Sequence, residues 1–223
     1  MFEPLQAAVD AATGLNSTLE RTADLVGVFF FAVSGGLLAV RKGFELVGVV
    51  ALSLVTALGG GVIRDLLLGA TPPTAFSDVA YLVVPLVAAA IVFVAHRPFE
   101  SRLRTPVQLF DAAGLGLFAV TGSVKASAFG ASAVGAVLIG VISAVGGGIL
   151  RDVLANDPPH LFHPNSRLYA IPAAVGATVI VIAWRNDLYS GTLAIAVAVG
   201  VFAIRVAALR WGWRSPKPLF GDR

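Results

Sequence analysis

Nearly the same heptapeptide occurs twice in this chain, as GGGVIRD at Gly59–Asp65 and as GGGILRD at Gly146–Asp152. Both copies lie inside strongly apolar segments. An Arg-Asp pair is costly to place in hydrocarbon, and charged residues within membrane segments usually serve a function. Two copies at matching places therefore predict a membrane protein in which these two segments do more than cross the bilayer.

The repeat extends well beyond the heptapeptide. Shifting residues 24–72 by 87 positions without a gap gives 19 identities in 49 positions. In so apolar a composition, chance alone gives on the order of a tenth of the positions. The matches include the pairs Asp24/Asp111, Phe31/Phe118, Gly35/Gly122 and Gly43/Gly130. The pattern indicates an internal duplication.

The composition predicts an all-α polytopic membrane protein and excludes an ordinary soluble domain. The chain is 57% hydrophobic and 13% charged, with a mean hydropathy of +0.86. Alternation with period two is absent, which argues against a membrane β-barrel. A helix needs roughly 17–25 apolar residues to cross a bilayer. Seven stretches are near or above that length, at 24–40, 45–68, 79–95, 108–128, 131–155, 168–184 and 190–209, and we number them spans 1–7.

The repeat predicts how these spans are organised. Residues 1–223 form a single membrane domain, with repeat 1 at 24–96 and repeat 2 at 111–184. Each repeat holds three spans, an odd number, so the second repeat enters the membrane from the opposite face. An additional helix at 190–210 and a tail at 211–223 lie outside the repeat.

The distribution of positive charge predicts the orientation. One face receives ten basic residues and the other receives only Arg21 and Arg185. Cytoplasmic loops carry the excess of Lys and Arg, so the N-terminus is expected outside and the C-terminus in the cytoplasm of a cell membrane. The ten residues are Arg41, Lys42, Arg97, Arg102, Arg104, Arg167, Arg210, Arg214, Lys217 and Arg223.

The glycine triplets predict broken helices in spans 2 and 5. Three consecutive glycines weaken a helix, and a break releases carbonyl groups that can bind cations. Close helix packing is the alternative explanation, but it needs fewer than three glycines. We therefore predict hinges in the pore at Gly59, Gly60 and Gly61 and at Gly146, Gly147 and Gly148.

Polar residues within the spans are candidates for the ion path. Inversion predicts one charged cluster toward the outer mouth and one toward the inner mouth, and a salt bridge that only holds the fold is the alternative role. Matched hydroxyls predict a polar seam between spans 1, 2, 4 and 5. The outer charges are Asp24, Arg64 and Asp65, the inner charges are Asp111, Arg151 and Asp152, and the hydroxyls are Ser34, Thr121, Thr56 and Ser143.

Four further polar residues have either a structural or a functional interpretation. Lys125 has no partner in the repeat, and it either reaches the membrane surface or places a charge at the outer mouth. Arg205 is expected to reach the membrane surface. His160 and His163 are interpreted as ordinary loop residues, because no carboxylate or cysteine completes a metal motif. No metal site and no cofactor are predicted.

The paired motifs resemble the prokaryotic branch of the trimeric intracellular cation (TRIC) channels, which overlaps with membrane proteins assigned a glycine-transporter domain. The resemblance rests on the doubled GGG-x-x-R-D, on Phe-Ala-Val-[Ser/Thr]-Gly at Phe31–Gly35 and Phe118–Gly122, and on the Pro-Pro pairs at 72–73 and 158–159. It implies a homotrimer in which each protomer has its own potassium-conducting pore, lined by spans 1, 2, 4 and 5. The Lys-Glu-Val element that animal members use to bind phosphoinositides is absent from the sequence.

Three functions remain open from the sequence. A monovalent-cation channel, conducting potassium, is the leading hypothesis, with membrane lipid as its surroundings and no nucleic acid partner. An alternating-access carrier for a small substrate such as glycine is the second, since inverted repeats are also found in carriers. A non-conducting scaffold is the third, and it leaves the doubled motif unexplained. No metalloprotease, serine-hydrolase or P-loop motif is present, so no enzymatic activity is predicted.

Overall fold

The computed structural model describes residues 16–95, 104–162 and 168–213, and all regular secondary structure in these ranges is helical. A four-residue helix lies at Thr74–Ser77. The long helices are α1 (Asn16–Arg41), α2 (Leu46–Leu67), α3 (Ala80–Ala95), α4 (Arg104–Ala128), α5 (Ala133–Leu154), α6 (Ala170–Arg185) and α7 (Gly191–Trp211). They coincide in order with the seven apolar stretches, and the all-helical prediction is confirmed.

The helices differ in how well their length and composition suit them to cross a bilayer. By length and composition, α1, α2, α4, α5 and α7 can each cross a bilayer. Helices α3 and α6 are apolar but have only 16 residues each, slightly short of a full crossing. Both expose large aliphatic side chains, among them Val83 and Leu86 on α3 and Val179 and Ile182 on α6. Such faces are suited to lipid contact.

The centre of the bundle consists of α1, α2, α4 and α5. Helices α1 and α4 are the most buried of the candidate spans, and they pack against each other. Helix α3 packs on α1 and α2, and α6 packs in the corresponding way on α4 and α5. Helix α7 lies against α4 and α6 and has no counterpart on the other side.

Glycine closes the ends of α1 and α4 in the same way. Gly43 and Gly130, a matched pair in the repeat, follow these helices with φ of 73° and 76°. This left-handed conformation is unfavourable for residues with a Cβ, and it commonly ends a helix. The match of these two glycines therefore has a local backbone cause.

The predicted breaks at the glycine triplets are wrong. Helix α2 runs without interruption through Gly59–Gly61, and α5 runs likewise through Gly146–Gly148. The glycines instead bring two backbones together. A Cβ added to Gly60 would lie 2.2 Å from the carbonyl oxygen of Ser143, and one added to Gly147 would lie 2.2 Å from that of Thr56. Close packing, the alternative explanation from the sequence, accounts for these two positions.

The contacts between the two halves are reciprocal. The pair Gly60–Ser143 becomes the pair Gly147–Thr56 when each residue is moved by 87 positions into the other repeat. The aromatic rings follow the same rule, because the Phe118 ring covers Gly27 and the Phe31 ring covers Gly114. Phe31 and Phe118 also contact each other edge to face, with ring centroids 5.2 Å apart, and both are fully buried.

Candidate functional site

The first charged cluster is centred on Arg64 of α2. Its Nε donates to Asp65 Oδ1 at 2.8 Å, and its Nη1 donates to Asp24 Oδ1 of α1 at 3.1 Å. All three residues are at most 5% exposed. Removing a charge from water is expensive unless it is paired and hydrogen-bonded, so these contacts are what allows three charges to lie between apolar helices.

Four other groups complete the first cluster. Asp65 accepts from Lys125 Nζ at 2.8 Å and from the backbone N–H of Thr74 at 2.9 Å. Asp24 accepts from the hydroxyls of Thr121 at 2.8 Å and Tyr81 at 3.0 Å. Lys125 thus ion-pairs with a buried carboxylate. Of its two interpretations, the reach to the membrane surface is wrong, and the charge at the outer mouth stays a prediction. Its side chain is 24% exposed, because it approaches Asp65 from the end of the bundle.

The second charged cluster is centred on Arg151 of α5. Its Nε donates to Asp152 Oδ1 at 2.9 Å, and its Nη1 donates to Asp111 Oδ1 of α4 at 2.7 Å. The same nitrogen donates to Ser34 Oγ of α1 at 2.6 Å, and Ser34 donates onward to the Val107 carbonyl at 2.9 Å. Each cluster is therefore completed by a hydroxyl from the other repeat, Thr121 in the first and Ser34 in the second.

The second cluster has its own tyrosine and its own loop contact. Tyr169 donates its hydroxyl to Asp111 at 3.2 Å, as Tyr81 does to Asp24. Asp152 Oδ2 accepts from the backbone N–H of His160 at 3.0 Å and lies 2.9 Å from His160 Nδ1. The interpretation of His160 as an ordinary loop residue is wrong, because its ring completes this cluster.

Arg205 connects α7 to the second cluster. Its predicted exposure at the membrane surface is wrong, since only 1% of the residue is exposed. Its Nη1 donates to the Leu168 carbonyl at 2.8 Å, and its guanidinium lies 4.9 Å from the centroid of the Tyr169 ring. A cation over an aromatic face is attracted by the ring quadrupole. Arg205 therefore holds the tyrosine that contacts Asp111.

The second pair of matched hydroxyls lies away from both clusters. Thr56 donates to the Leu52 carbonyl of its own helix at 2.6 Å. Ser143 is buried, and its hydroxyl has no hydrogen-bond partner among the described residues. The backbone carbonyls of Thr56 and Ser143 face Gly147 and Gly60 at the α2–α5 crossing. The polar seam between α1, α2, α4 and α5 stays a prediction.

A small cavity opens beside the first cluster. Its lining includes Asp24, Arg64, Tyr81, Gly61 and Phe118. The matching place in the second cluster is filled, because a Cβ on Gly148 would collide with the Tyr169 hydroxyl, whereas one on Gly61 would have its nearest neighbour, Phe118, at 3.6 Å. The two ends of the bundle thus carry the same charged core but differ in packing.

Four residues of the two clusters were not matched when the repeats were aligned without a gap. Tyr81 and Tyr169 lie 88 residues apart, and Thr74 and His160 lie 86 apart, whereas the repeat was aligned at 87. The Pro-Pro pairs preceding Thr74 and His160 carry the missed signal. An alignment with single-residue gaps in the loops would have matched all four.

The described residues contain no candidate metal site, and several residues singled out in the sequence lie outside them. Within residues 16–95, 104–162 and 168–213, no group of three or more His, Asp or Glu side chains could hold a metal ion. His163 and the basic residues Arg97, Arg102, Arg167, Arg214, Lys217 and Arg223 lie outside the described residues.

Comparison with known proteins matches both halves of the chain. A family model described as "Glycine transporter" matches residues 21–97 and again residues 108–185. The "UPF0126 membrane protein" of Vibrio cholerae is 37% identical over 216 residues, which are 97% of this chain and 90% of that protein.

Solved structures match over nearly the same extent. One is described as "Crystal structures of the TRIC trimeric intracellular cation channel orthologue from Rhodobacter sphaeroides". It is 37% identical with a TM-score of 0.82, and the match covers 87% of this chain and 99% of that chain. Another, described as "Structural basis for conductance through TRIC cation channels", is 34% identical with a TM-score of 0.79, covering 91% and 98%.

The fold and the two matched clusters define a class, the helical polytopic membrane proteins built from two copies of one unit. Within this class, the chain belongs to the family described as "Glycine transporter", whose relatives include the UPF0126 membrane proteins. The resemblance to prokaryotic TRIC channels inferred from the motifs is confirmed by the structural matches.

Proposed function

We propose that this protein is a cation channel that conducts monovalent ions such as potassium through a pore within each protomer. One observation carries the proposal: two buried, ion-paired clusters lie at matching places in a bundle that shares its fold with the Rhodobacter sphaeroides channel and is 37% identical to it over the matched region. A homotrimer in a prokaryotic cell membrane is part of the same proposal, because that channel is described as trimeric.

The proposed path runs along α1, α2, α4 and α5, from one cluster to the other. The cavity beside Asp24 and Arg64 is its wider part, and the paired rings of Phe31 and Phe118 close it near the middle. Two packed aromatic rings exclude water, so the arrangement described here corresponds to a closed pore. The glycines of the α2–α5 crossing determine how closely these two helices, which line the proposed path, approach each other.

The proposed topology has seven crossings and an inverted relation between the repeats. Reciprocal contacts such as Gly60–Ser143 and Gly147–Thr56 support a pseudo-two-fold axis between the halves. The excess of basic residues supports an external N-terminus, which places the first cluster toward the outside and the second toward the cytoplasm. Helices α3 and α6, at 16 residues each, cross where flanking residues extend them or the bilayer thins.

A glycine carrier is the alternative, and it is favoured by the description of the matching family model. Purified protein in planar bilayers and in liposomes separates the two. A channel gives unitary currents in potassium chloride with a reversal potential set by the cation. A carrier gives saturable uptake of labelled glycine without unitary currents, and that result would replace our proposal. An enzymatic role is not proposed.

A matched pair of variants tests the path. Replacing the buried Phe118 by alanine removes one ring of the central pair and should raise the open probability or the conductance. Replacing Phe76, which is 66% exposed on the short helix, is the control and should leave currents unchanged. Equal currents from wild type and both variants would place the conduction path elsewhere.

A further inference from the structure

The two charged clusters differ in the second basic residue that contacts the motif carboxylate. In the first cluster, Asp65 pairs with Arg64 and with Lys125. In the second, Asp152 pairs with Arg151 and with the ring of His160. Histidine is the side chain that changes its charge near neutral pH. The same position is therefore held by a lysine at one end of the bundle and by a histidine at the other.

Both ring nitrogens of His160 have a partner. Nδ1 lies 2.9 Å from Asp152 Oδ2, and Nε2 lies 3.3 Å from the side-chain amide of Gln108. An amide donates through its nitrogen and, turned over, accepts through its oxygen, so Gln108 can bond the neutral and the protonated ring alike. The His160 side chain is 34% exposed, so a proton from solution can reach it.

Other charged groups surround this site. On α4 and α5 these are Asp111 and Arg151, and on α7 it is Arg205, which reaches the cluster through Tyr169. In the loop, Asp157 pairs with Arg41 and Lys42 at the end of α1.

We propose that His160 determines how strongly the second cluster attracts cations, and that protonation of its ring reduces cation entry from this end. The proposal rests on the proposed channel function. A neutral His160 leaves Arg151 facing two carboxylates, Asp111 and Asp152, whereas a protonated His160 adds a positive charge beside Asp152, as Lys125 lies beside Asp65 in the first cluster. At an effective dielectric constant of about 35, between those of water and of a protein surface, one unit charge roughly 10 Å from the path changes the local cation concentration by about fivefold.

The test is single-channel recording in planar bilayers with pH varied on one side at a time. For the wild type, we expect the cation current to fall about fivefold between pH 8 and pH 5 on the side that the second cluster faces, and to change little from the other side. His160→Gln should abolish this response and keep the current high. His160→Lys should abolish it and keep the current low.

Matched controls make the outcome decisive. The chain has three histidines, so His96→Gln and His163→Gln should both retain the wild-type pH response. An unchanged response in His160→Gln, or a high current in His160→Lys, would overturn the inference while leaving the channel intact. Absence of cation current in every variant at every pH would overturn the channel function, and the inference with it.

Discussion

Alanine substitutions within one glycine triplet separate packing from hinge motion. Gly60 and Gly61 are neighbours in α2, but only Gly60 faces the backbone of α5. A Cβ at Gly60 would lie 2.2 Å from the Ser143 carbonyl oxygen, whereas one at Gly61 would be 3.6 Å from its nearest neighbour, Phe118. We therefore expect opposite effects of the two changes on stability.

The magnitude follows from the geometry. Carbon–oxygen contacts between helices usually measure about 3.3–3.6 Å, so Gly60→Ala requires the two backbones to separate by roughly 1 Å. Neither partner is a flexible side chain, which places the overpacking cost near the upper end of about 1–3 kcal/mol. Replacing glycine by alanine in a helix returns about 1 kcal/mol. The net loss for Gly60→Ala is about 2 kcal/mol, and Gly61→Ala should be neutral or stabilising by up to about 1 kcal/mol.

The assay is thermal unfolding of the purified variants in detergent, followed by intrinsic fluorescence and by retention of the assembled form on size exclusion. Gly147→Ala serves as the reciprocal test, because its Cβ would approach the Thr56 carbonyl as closely as that of Gly60→Ala approaches Ser143. Gly60→Ala and Gly147→Ala should lower the unfolding temperature similarly, and Gly61→Ala should not. If all three variants unfold with the wild type, or all three fall together, the glycines do not act through this crossing.

Three further predictions concern the charged residues. Arg151→Met alone should lower the free energy of unfolding by about 3–5 kcal/mol, because it leaves buried carboxylates without their cation. Adding Asp111→Leu should recover part of that stability in thermal unfolding. A double variant no more stable than the single variant would argue against this pair as the main contact. Arg205→Met should destabilise by about 2 kcal/mol through the lost contact with the second cluster, whereas the exposed Arg210→Met should not, and equal melting of both variants would contradict the assigned role. Arg102→Cys, in a chain without native cysteines, should be labelled by an impermeant maleimide only after the cells are opened; labelling of intact cells would reverse the proposed topology.

The sequence identified the members of the charged clusters because both repeats carry them at the same offset. Asp24, Arg64 and Asp65 matched Asp111, Arg151 and Asp152 without a gap, and each set forms one cluster in the structure. Ser34 and Thr121 were marked by the same match. The repeat did not predict that each of these hydroxyls would contact the cluster of the opposite repeat.

Where the sequence interpretation was wrong, the error came from judging residues singly. Lys125 and Arg205 near helix ends suggested surface exposure, yet Lys125 reaches Asp65 on α2 and Arg205 reaches the Leu168 carbonyl just before α6. His160 lacked metal ligands in the sequence, yet the loop folds back by eight residues to place its ring on Asp152. Long polar side chains can reach several places, and only the packing of neighbouring helices selects one of them.

Sequence by itself determined the all-helical membrane class, the duplication and the residues that form the charged cores, because hydrophobic length and a repeat without gaps are properties of the chain alone. Tertiary structure decided that the glycine triplets serve a close crossing of two unbroken helices, since a glycine-rich segment bends or packs according to what lies against it. It also decided that the matching clusters contain different basic side chains, Lys125 in one and His160 in the other. Those two side chains come from a helix and a loop that share no position in the repeat, so only the folded chain brings them to equivalent places.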